Sequence, residues 1–405
     1  MSGMSVLVSV LTGVSAVAWL YLLFGHGGFW RLREWLPQPA AGDGLWPAVV
    51  ALIPARDEAA TIGRTVADVL GQDYPGRLHV IVTDDQSADD TAGAARAGAA
   101  AAGASHRLSV IQGTDPPPGW TGKLWALEQA RRTAGTAGEA PPYLWLTDAD
   151  IAHAPETLRR LVTKAQADDR DLVSLMVRLH ATGGWPRLLI PPFVLFFRML
   201  YPFSRGNRPG ARTAAAAGGC ILLRRAALER AGGFAAIAGA LIDDCALAAR
   251  IKRHGRPGRG RIWIGQANAS ASLRAYRGLE EIRAMVARSA YAQLRYSPAR
   301  LAGTVLGMAL VFLVPPLAVL TWPLHGGSAA GGAAALAWAA MAVVAAPTYR
   351  HYGQARWRGS LLPVVAVLYT AMTLESARAY HGGHGGFWKG RAQARPRASS
   401  GVSPD

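Results

Sequence analysis

The chain has 405 residues, room for two ordinary domains or for one large domain plus membrane segments. Hydrophobic residues make up 51% and charged residues only 17%, which excludes a wholly soluble protein of ordinary composition. The net charge is +17, yet no zinc-finger spacing, basic zipper or stacked-aromatic RNA signature accompanies it, so the basic charge points to an anionic membrane surface and not to nucleic acid.

Met4 to Phe24 carry no charge and are long enough for a spanning helix, which needs about 20 residues. No Lys or Arg precedes the run, and Ala16-Val17-Ala18 lies inside it, so residues 1–30 read as an uncleaved anchor. Arg31 and Arg33 follow, which by the positive-inside rule places the N-terminus outside and the next domain in the cytoplasm. The expected location is the inner (cytoplasmic) membrane, multi-pass, with the middle domain facing the cytoplasm.

From residue 47 to 300 the pattern is α/β. Val49–Ile53, Leu78–Thr83, Leu108–Ile111, Tyr143–Thr147 and Leu172–Met176 are nearly continuous apolar runs, as expected for strands buried on both faces. Helical patterns separate them over Glu58–Leu70, Asp89–Ala102, Leu124–Thr133 and Pro155–Ala167, which predicts a mostly parallel sheet with helices on both faces. Pro186–Phe203 is apolar but interrupted by Pro191, Pro192 and Arg198; it reads either as a buried helix or as one lying in the membrane interface. Cys220 and Cys245 form no disulfide framework or metal-ligand spacing and read as reduced, buried thiols.

Leu301–Leu324 and Ala329–Pro347 read as a helical hairpin joined by His325-Gly326-Gly327-Ser328, with Arg350, Arg356 and Arg358 after it. Leu361–Leu374 is short for a span, and either crosses or stays at the interface; membrane helices are therefore assigned over 301–376. The tail 377–405 is basic, and its Ser-, Pro- and Arg-rich end after Arg391 is expected to be disordered.

In parallel sheets ligands bind beyond the carboxyl ends of the strands, and carboxylates cluster there. Pro54-Ala55-Arg56-Asp57-Glu58 follows the first strand, Asp84-Asp85 ends the second, and Asp148-Ala149-Asp150 ends the fourth. Alternate residues of a D-x-D pair can turn both carboxylates to one hard cation, Mg2+ or Mn2+, which takes oxygen ligands and bridges a diphosphate. Asp84 or Asp85 can accept hydrogen bonds from a base or ribose, with Ser87 or Asp89 capping the next helix. No P-loop is present, so phosphate binding falls to the cation and to basic groups, Lys123 among them; an ordinary surface lysine is the alternative. Gly218-Gly219 and Gly232-Gly233 allow close approach to a ligand, or are turns. Asp243-Asp244 opens an amphipathic helix, where the acids either favour the helix dipole or supply a general base.

Taken together, Ile53–Glu58, Thr83–Thr91, Lys123, Asp148–Asp150, the glycines and Asp243-Asp244 resemble, in order, the GT-A-fold family-2 glycosyltransferases. Gly119–Ala126, together with Asp243-Asp244 and Trp388-Lys389-Gly390-Arg391, is most similar to the hopanoid-biosynthesis-associated members, which in turn resemble carotenoid and ceramide glycosyltransferases. The resemblance implies a nucleotide-sugar donor, a UDP-sugar favoured, and a lipid acceptor. It puts Pro54, Ala55, Arg56, Glu58, Asp84, Asp85, Lys123 and Asp148 on the donor, Asp148 and Asp150 on the metal, and Gly218 and Gly219 on the acceptor side. Asp244 becomes the base, with Asp243 beside it, in an inverting single displacement. The Gln-x-x-Arg-Trp string of processive members is absent; Gln293-Leu294-Arg295-Tyr296 lies nearby without matching it, so transfer of one sugar is expected. Two other readings remain: a non-catalytic membrane scaffold retaining the fold, and a membrane nucleotidyltransferase, whose basic Gly-rich activation loop is not seen.

Overall fold

The computed structural model describes residues 3–38, 46–135, 140–254, 261–325, 328–383, 385–388 and 391–394. The loop at 326–327, the Lys389-Gly390 pair and everything from 395 onward lie outside the described residues.

Eight strands form one sheet: β1 (Val49–Ala55), β2 (Leu78–Asp84), β3 (Leu108–Gln112), β4 (Tyr143–Leu146), β5 (Ile151–His153), β6 (Leu172–Arg178), β7 (Ile221–Arg224) and β8 (Ile262–Ser272). Their order is β3-β2-β1-β4-β7-β6-β8-β5. The four strands β3-β2-β1-β4 pair parallel, as the alternating apolar runs predict. β7 runs antiparallel to both β4 and β6, β8 returns parallel to β6, and β5 closes antiparallel on β8.

That order forces the sheet to curl. β5 follows β4 by a four-residue link but stands four strand positions away, which in a flat sheet is about 19 Å, longer than so short a turn can reach. The far edge must therefore fold back over the Thr147–Asp150 link, and this carries the end of β8 to the same place.

After the N-terminal α1 (Gly3–Leu20), the helices of the α/β region divide between the faces. α2 (Ile62–Leu70), α3 (Thr91–Ala101) and α5 (Thr157–Ala167) bury Ile62, Val66, Ala95, Leu158 and Leu161 on one side, with α4 (Gly122–Ala134) between them in sequence but on the other. There it is joined, beyond α6 (Gly184–Leu200) and the one-turn α7 (Phe203–Gly206), by α8 (Arg225–Arg230) and α9 (Asp243–His254), which bury Leu228, Leu247 and Ile251. α10 (Leu279–Gln293) leads to α11 (Pro298–Met308), α12 (Val314–Leu320), the one-turn α13 (Trp322–His325), α14 (Ser328–His351) and α15 (Leu362–His381).

Four helical stretches are long and apolar enough to cross a membrane: Gly3–Gly25, Pro298–Leu320, Ala329–His351 and Arg356–His381. The run at 361–374, short in sequence, is thus part of one long helix. α1 is patterned inside out: Thr12 and Ser15 are buried against its neighbours while Val6, Leu7, Val10 and Val17 face outward. Polar-in and apolar-out is the arrangement a hydrocarbon solvent demands, and α14 meets α1 with small residues, Ala334 and Ala337 among those buried.

Proline pairs break two of the apolar helices, and aromatic donors repair them. Pro315 cannot donate to the carbonyl of Val311; Trp19 Nε1 of α1 donates to it instead at 2.8 Å. Pro192 leaves the Leu188 carbonyl to Tyr349 Oη of α14 at 3.2 Å, and Tyr369 Oη of α15 donates to Leu189 O at 2.5 Å. Of the two readings of Pro186–Phe203, burial prevails along one face: α6 buries Leu189, Ile190, Val194, Leu195 and Arg198, leaving Trp185 and Leu200 exposed. Arg198 Nε donates to Phe29 O at 2.7 Å and Nη2 lies 3.2 Å from Glu34 Oε2, tying the exit of α1 to the α/β region. Arg391–Ala394 pairs antiparallel with Gly385–Trp388, so the first residues past Arg391 are strand and not disordered as expected.

Candidate active site

Three parallel strand ends and the start of α9 converge. At the end of β4, Asp148 turns its Oδ1 to Lys123 Nζ at 2.8 Å, and the same ammonium lies 3.4 Å from Asp243 Oδ2. Lys123 sits in the first turn of α4, capped by Thr121, and only 19% of its side chain is exposed, so it is not an ordinary surface lysine. Burial alone would depress its pKa, but Asp148, Asp243 and Asp244 outweigh that and hold it protonated, above its usual range.

Asp244 is fixed by two backbone donors, Gly218 N–H to Oδ2 at 2.9 Å and its own neighbour Cys245 N–H to Oδ1 at 2.7 Å. Burial first, then Asp243, pushes its carboxyl above the ordinary range, with Lys123 pulling the other way. Asp150 lies across the link. Burial, with Asp148 and Glu58 adding, pushes it up to about 6, while Arg274 at the end of β8 opposes the shift. Three carboxylates therefore face one lysine, with Asp150 across the link, an excess of negative charge suited to a cation.

A metal at the expected pair would have two carboxylate donors from the protein. Asp148 and Asp150 are two carboxylates on one short link, and among the described residues no group of three or more His, Cys, Asp or Glu forms a complete cage. Two carboxylates suit a hard cation that fills its shell with waters and phosphate oxygens.

The β1 and β2 ends clasp each other. Asp57, at φ 51°, donates its N–H to Ser87 Oγ and accepts the Ala88 N–H on Oδ1; Glu58 N–H donates to Thr91 Oγ1 and Ala59 N–H to Asp89 Oδ2. Arg56 Nη1 donates to Asp85 O at 2.6 Å and lies 3.7 Å from Asp85 Oδ2. Ala55 is buried and its carbonyl accepts the Asp85 N–H, while Asp84 Oδ1 takes the Ser87 N–H. The N-cap of α3 is Asp90, which accepts from Gly93 N–H, while the expected Asp89 satisfies the first N–H of the helix, that of Thr91, at 3.1 Å; Ser87 takes no part in the cap.

Pro54, Lys123, Thr147, Asp148, Gly218 and Asp243 line one cleft with Asp244. The two glycines differ. A Cβ on Gly218 would stand 3.2 Å from Lys123 Nζ, inside the cluster, whereas one on Gly219 would press on Val177 Cγ2 at 2.9 Å. Gly219 is therefore packed closely against β6. Gly232 and Gly233, at φ 89° and 66°, form a turn. Gln293 is bonded to Tyr201 and Tyr296 stacks on Tyr380, so the Gln293–Tyr296 stretch is occupied in packing.

Sequence reasoning missed what holds the acidic link in place. Thr65 Oγ1 of α2 donates to Ala149 O at 2.9 Å, and Leu273 N–H to Asp150 O at 2.7 Å. Thr147 Oγ1 donates to Gly219 O at 3.0 Å and meets His153 Nε2 at 2.8 Å. The one signal available was a histidine, His153, beside a strand too short to show in the pattern.

A family model described as glycosyltransferase like family 2 matches residues 47–258, just over half of the chain. The chain belongs to that glycosyltransferase family. Among solved structures it is similar to a mannosyltransferase from Pyrobaculum calidifontis in complex with GDP-Man and Mn2+, at 21% identity over 91% of this chain and 98% of that one, with a TM-score of 0.54. It is also similar to glucosyl-3-phosphoglycerate synthase from Mycobacterium tuberculosis, at 20% identity over 62% of this chain and 79% of that one, with a TM-score of 0.39. No curated protein matches. The fold is the α/β, GT-A-like one that the order of the strand-end motifs led us to expect, joined to helices apolar enough to span a membrane.

Proposed function

We propose that the chain is a membrane-bound, metal-dependent, inverting glycosyltransferase that moves a single sugar from a nucleotide-sugar donor, a UDP-sugar first, to a lipid acceptor of the hopanoid pathway. The observation that carries the chemistry is the convergence of Lys123, Asp148, Asp243 and Asp244 at the carboxyl edge of the sheet, with Asp150 across the link. Residues 47–300 act as the catalytic domain on the cytoplasmic face of the inner membrane, 1–30 and 301–376 as its membrane part, and 377–405 as a basic tail.

Pro54, Ala55, Arg56, Glu58, Asp84 and Asp85 form the nucleoside side of the site. Asp148 and Asp150 would hold Mg2+ or Mn2+, which when bound would supply positive charge to the departing diphosphate. Lys123 adds a positive charge beside Asp148. Asp244, held by Gly218 and Cys245 N–H groups and with its affinity for a proton raised, takes the acceptor hydroxyl proton as the acceptor oxygen bonds to the anomeric carbon and the bond to the diphosphate breaks. Lipid as acceptor is supported by an apolar cluster that begins at Ile242 and Cys245, on either side of the two acids, and continues through α6, α10 and α15. The hopanoid assignment rests on the sequence resemblance at Gly119–Ala126, Asp243-Asp244 and Trp388-Lys389-Gly390-Arg391.

Asp244→Asn and Asp148→Ala test the reading together. Both variants folded but without sugar transfer is the expected result; transfer at the parent rate in each would dismiss the proposed roles.

A further inference from the structure

Behind the acidic link runs a line of buried hydrogen bonds. Ser270 Oγ of β8 lies 2.9 Å from His153 Nδ1, His153 Nε2 lies 2.8 Å from Thr147 Oγ1, and Thr147 Oγ1 lies 3.0 Å from Gly219 O. All four residues are buried. Thr147 immediately precedes Asp148. Gly219 immediately follows Gly218, whose N–H holds Asp244.

The direction of the line follows from its ends. The Thr147 hydroxyl faces two carbonyls, Gly219 O at 3.0 Å and Asp148 O at 3.4 Å, which can only accept; with its proton donated to the nearer, Thr147 Oγ1 accepts from His153 Nε2–H. His153 Nδ1 is then left as acceptor for the Ser270 hydroxyl. Burial keeps the ring neutral, as that arrangement requires, and the ring lies 4.8 Å from Trp145 of β4, centroid to centroid. A single neutral tautomer thereby joins β8, β5, the end of β4 and the Gly218-Gly219 segment.

We propose that His153 and Thr147 are positioning residues that set the D-x-D carboxylates and the Asp244 carboxylate in register with each other, so that one buried relay fixes both the metal side and the base side of the site. The inference rests on the function proposed above for those acids. It adds that the two halves are mechanically one unit: shifting Thr147 moves Asp148 through the chain and Asp244 through Gly219 and Gly218.

Thr147→Val keeps the shape and removes the hydroxyl; Thr147→Ser restores it; Ser270→Ala removes only the outer end. The full-length protein in detergent would be assayed for folding by thermal melting, for Mn2+ binding by electron paramagnetic resonance of the free ion with UDP present, and for kcat and KM of transfer. Partners in the shell around a metal site are commonly worth about 10- to 100-fold in affinity or activity. The expected result is a loss of about that size in both Mn2+ affinity and kcat for Thr147→Val, with recovery in Thr147→Ser and a smaller loss in Ser270→Ala. A folded Thr147→Val whose Mn2+ affinity and kcat both match the parent overturns the proposal, as does a Thr147→Ser that fails to recover either. Should Thr147→Val not fold, Ser270→Ala decides alone, and parent-like values for it have the same force. A parent protein that binds no Mn2+ and transfers no sugar would instead defeat the underlying function.

Discussion

Replacing Lys123 by Met keeps the apolar stem and deletes the one ammonium among the acids. Its charge stands 2.8 Å from Asp148 and 3.4 Å from Asp243. It faces Asp244 across Gly218, since a Cβ there would lie 3.2 Å from Lys123 Nζ and 3.5 Å from Asp244 Oδ2. Charges about 7 Å apart at an effective dielectric constant of about 20 interact by about 2 kcal/mol. Because the site is partly open to water, a shift of roughly one pKa unit is the reasonable share. The sign is set by charge: Lys123 stabilises ionised Asp244, so removing it raises the proton affinity further. If Asp244 is the base, the acid limb of kcat/KM, followed between about pH 5 and 9, moves about one unit to higher pH. The plateau rate also falls, by about a hundredfold, for loss of a fixed positive charge at the leaving group. An acid limb that stays put or moves to lower pH would refute the arrangement, even if the rate fell.

Asp150→Asn should separate stability from activity. A carboxyl that titrates at about 6 folded and about 3.9 unfolded binds its proton more tightly in the folded state, so stability is lost as pH rises through that window. With part-exposure discounted, the ligand-free variant gains about 1–2 kcal/mol at pH 7 by denaturant unfolding, while losing metal-dependent transfer. His153 acts with opposite sign: its folded pKa is depressed to about 3, so its contribution is present above about pH 6.5 and is lost as pH falls. His153→Phe therefore shows a flatter loss of stability below about pH 6.5 than the parent does. Trp19→Phe leaves the Val311 carbonyl without its donor and should cost about 1–2 kcal/mol in detergent unfolding. An unchanged midpoint would mean that the Val311 carbonyl finds another donor.

The parallel half of the sheet and its acids were legible because both signals are local. Strands β1, β2, β4 and β6 are buried on two faces as their apolar runs predict, β3 at the sheet edge is only half-buried, and each acidic motif follows directly on a strand. β8 was hidden because it alternates small and polar residues, Gln266, Asn268, Ser270 and Ser272, several of them buried by contacts made far along the chain. β5 has three residues, too few for any period to show. The same distance in sequence concealed how the site is assembled: Lys123 reaches Asp148 and Asp243, and His153 reaches Ser270, only once the sheet has curled. The cap of α3 is shared: Asp90 accepts from Gly93 N–H and Asp89 Oδ1 from Thr91 N–H, while Asp89 Oδ2 and Ser87 Oγ are drawn into the clasp with the β1 loop. At the membrane, the charge-free run of α1 was plain, but the inward Thr12 and Ser15 and the aromatic donors that mend the proline pairs belong to packing between helices.

The most direct test of the central claim is donor turnover by the purified, detergent-solubilised protein, with a panel of UDP- and GDP-sugars, Mg2+ or Mn2+, and native lipid extract. The account predicts metal-dependent release of one nucleoside diphosphate together with one new glycolipid of inverted anomeric configuration. Well-folded protein that neither binds nor turns over any donor, with either cation, would contradict it.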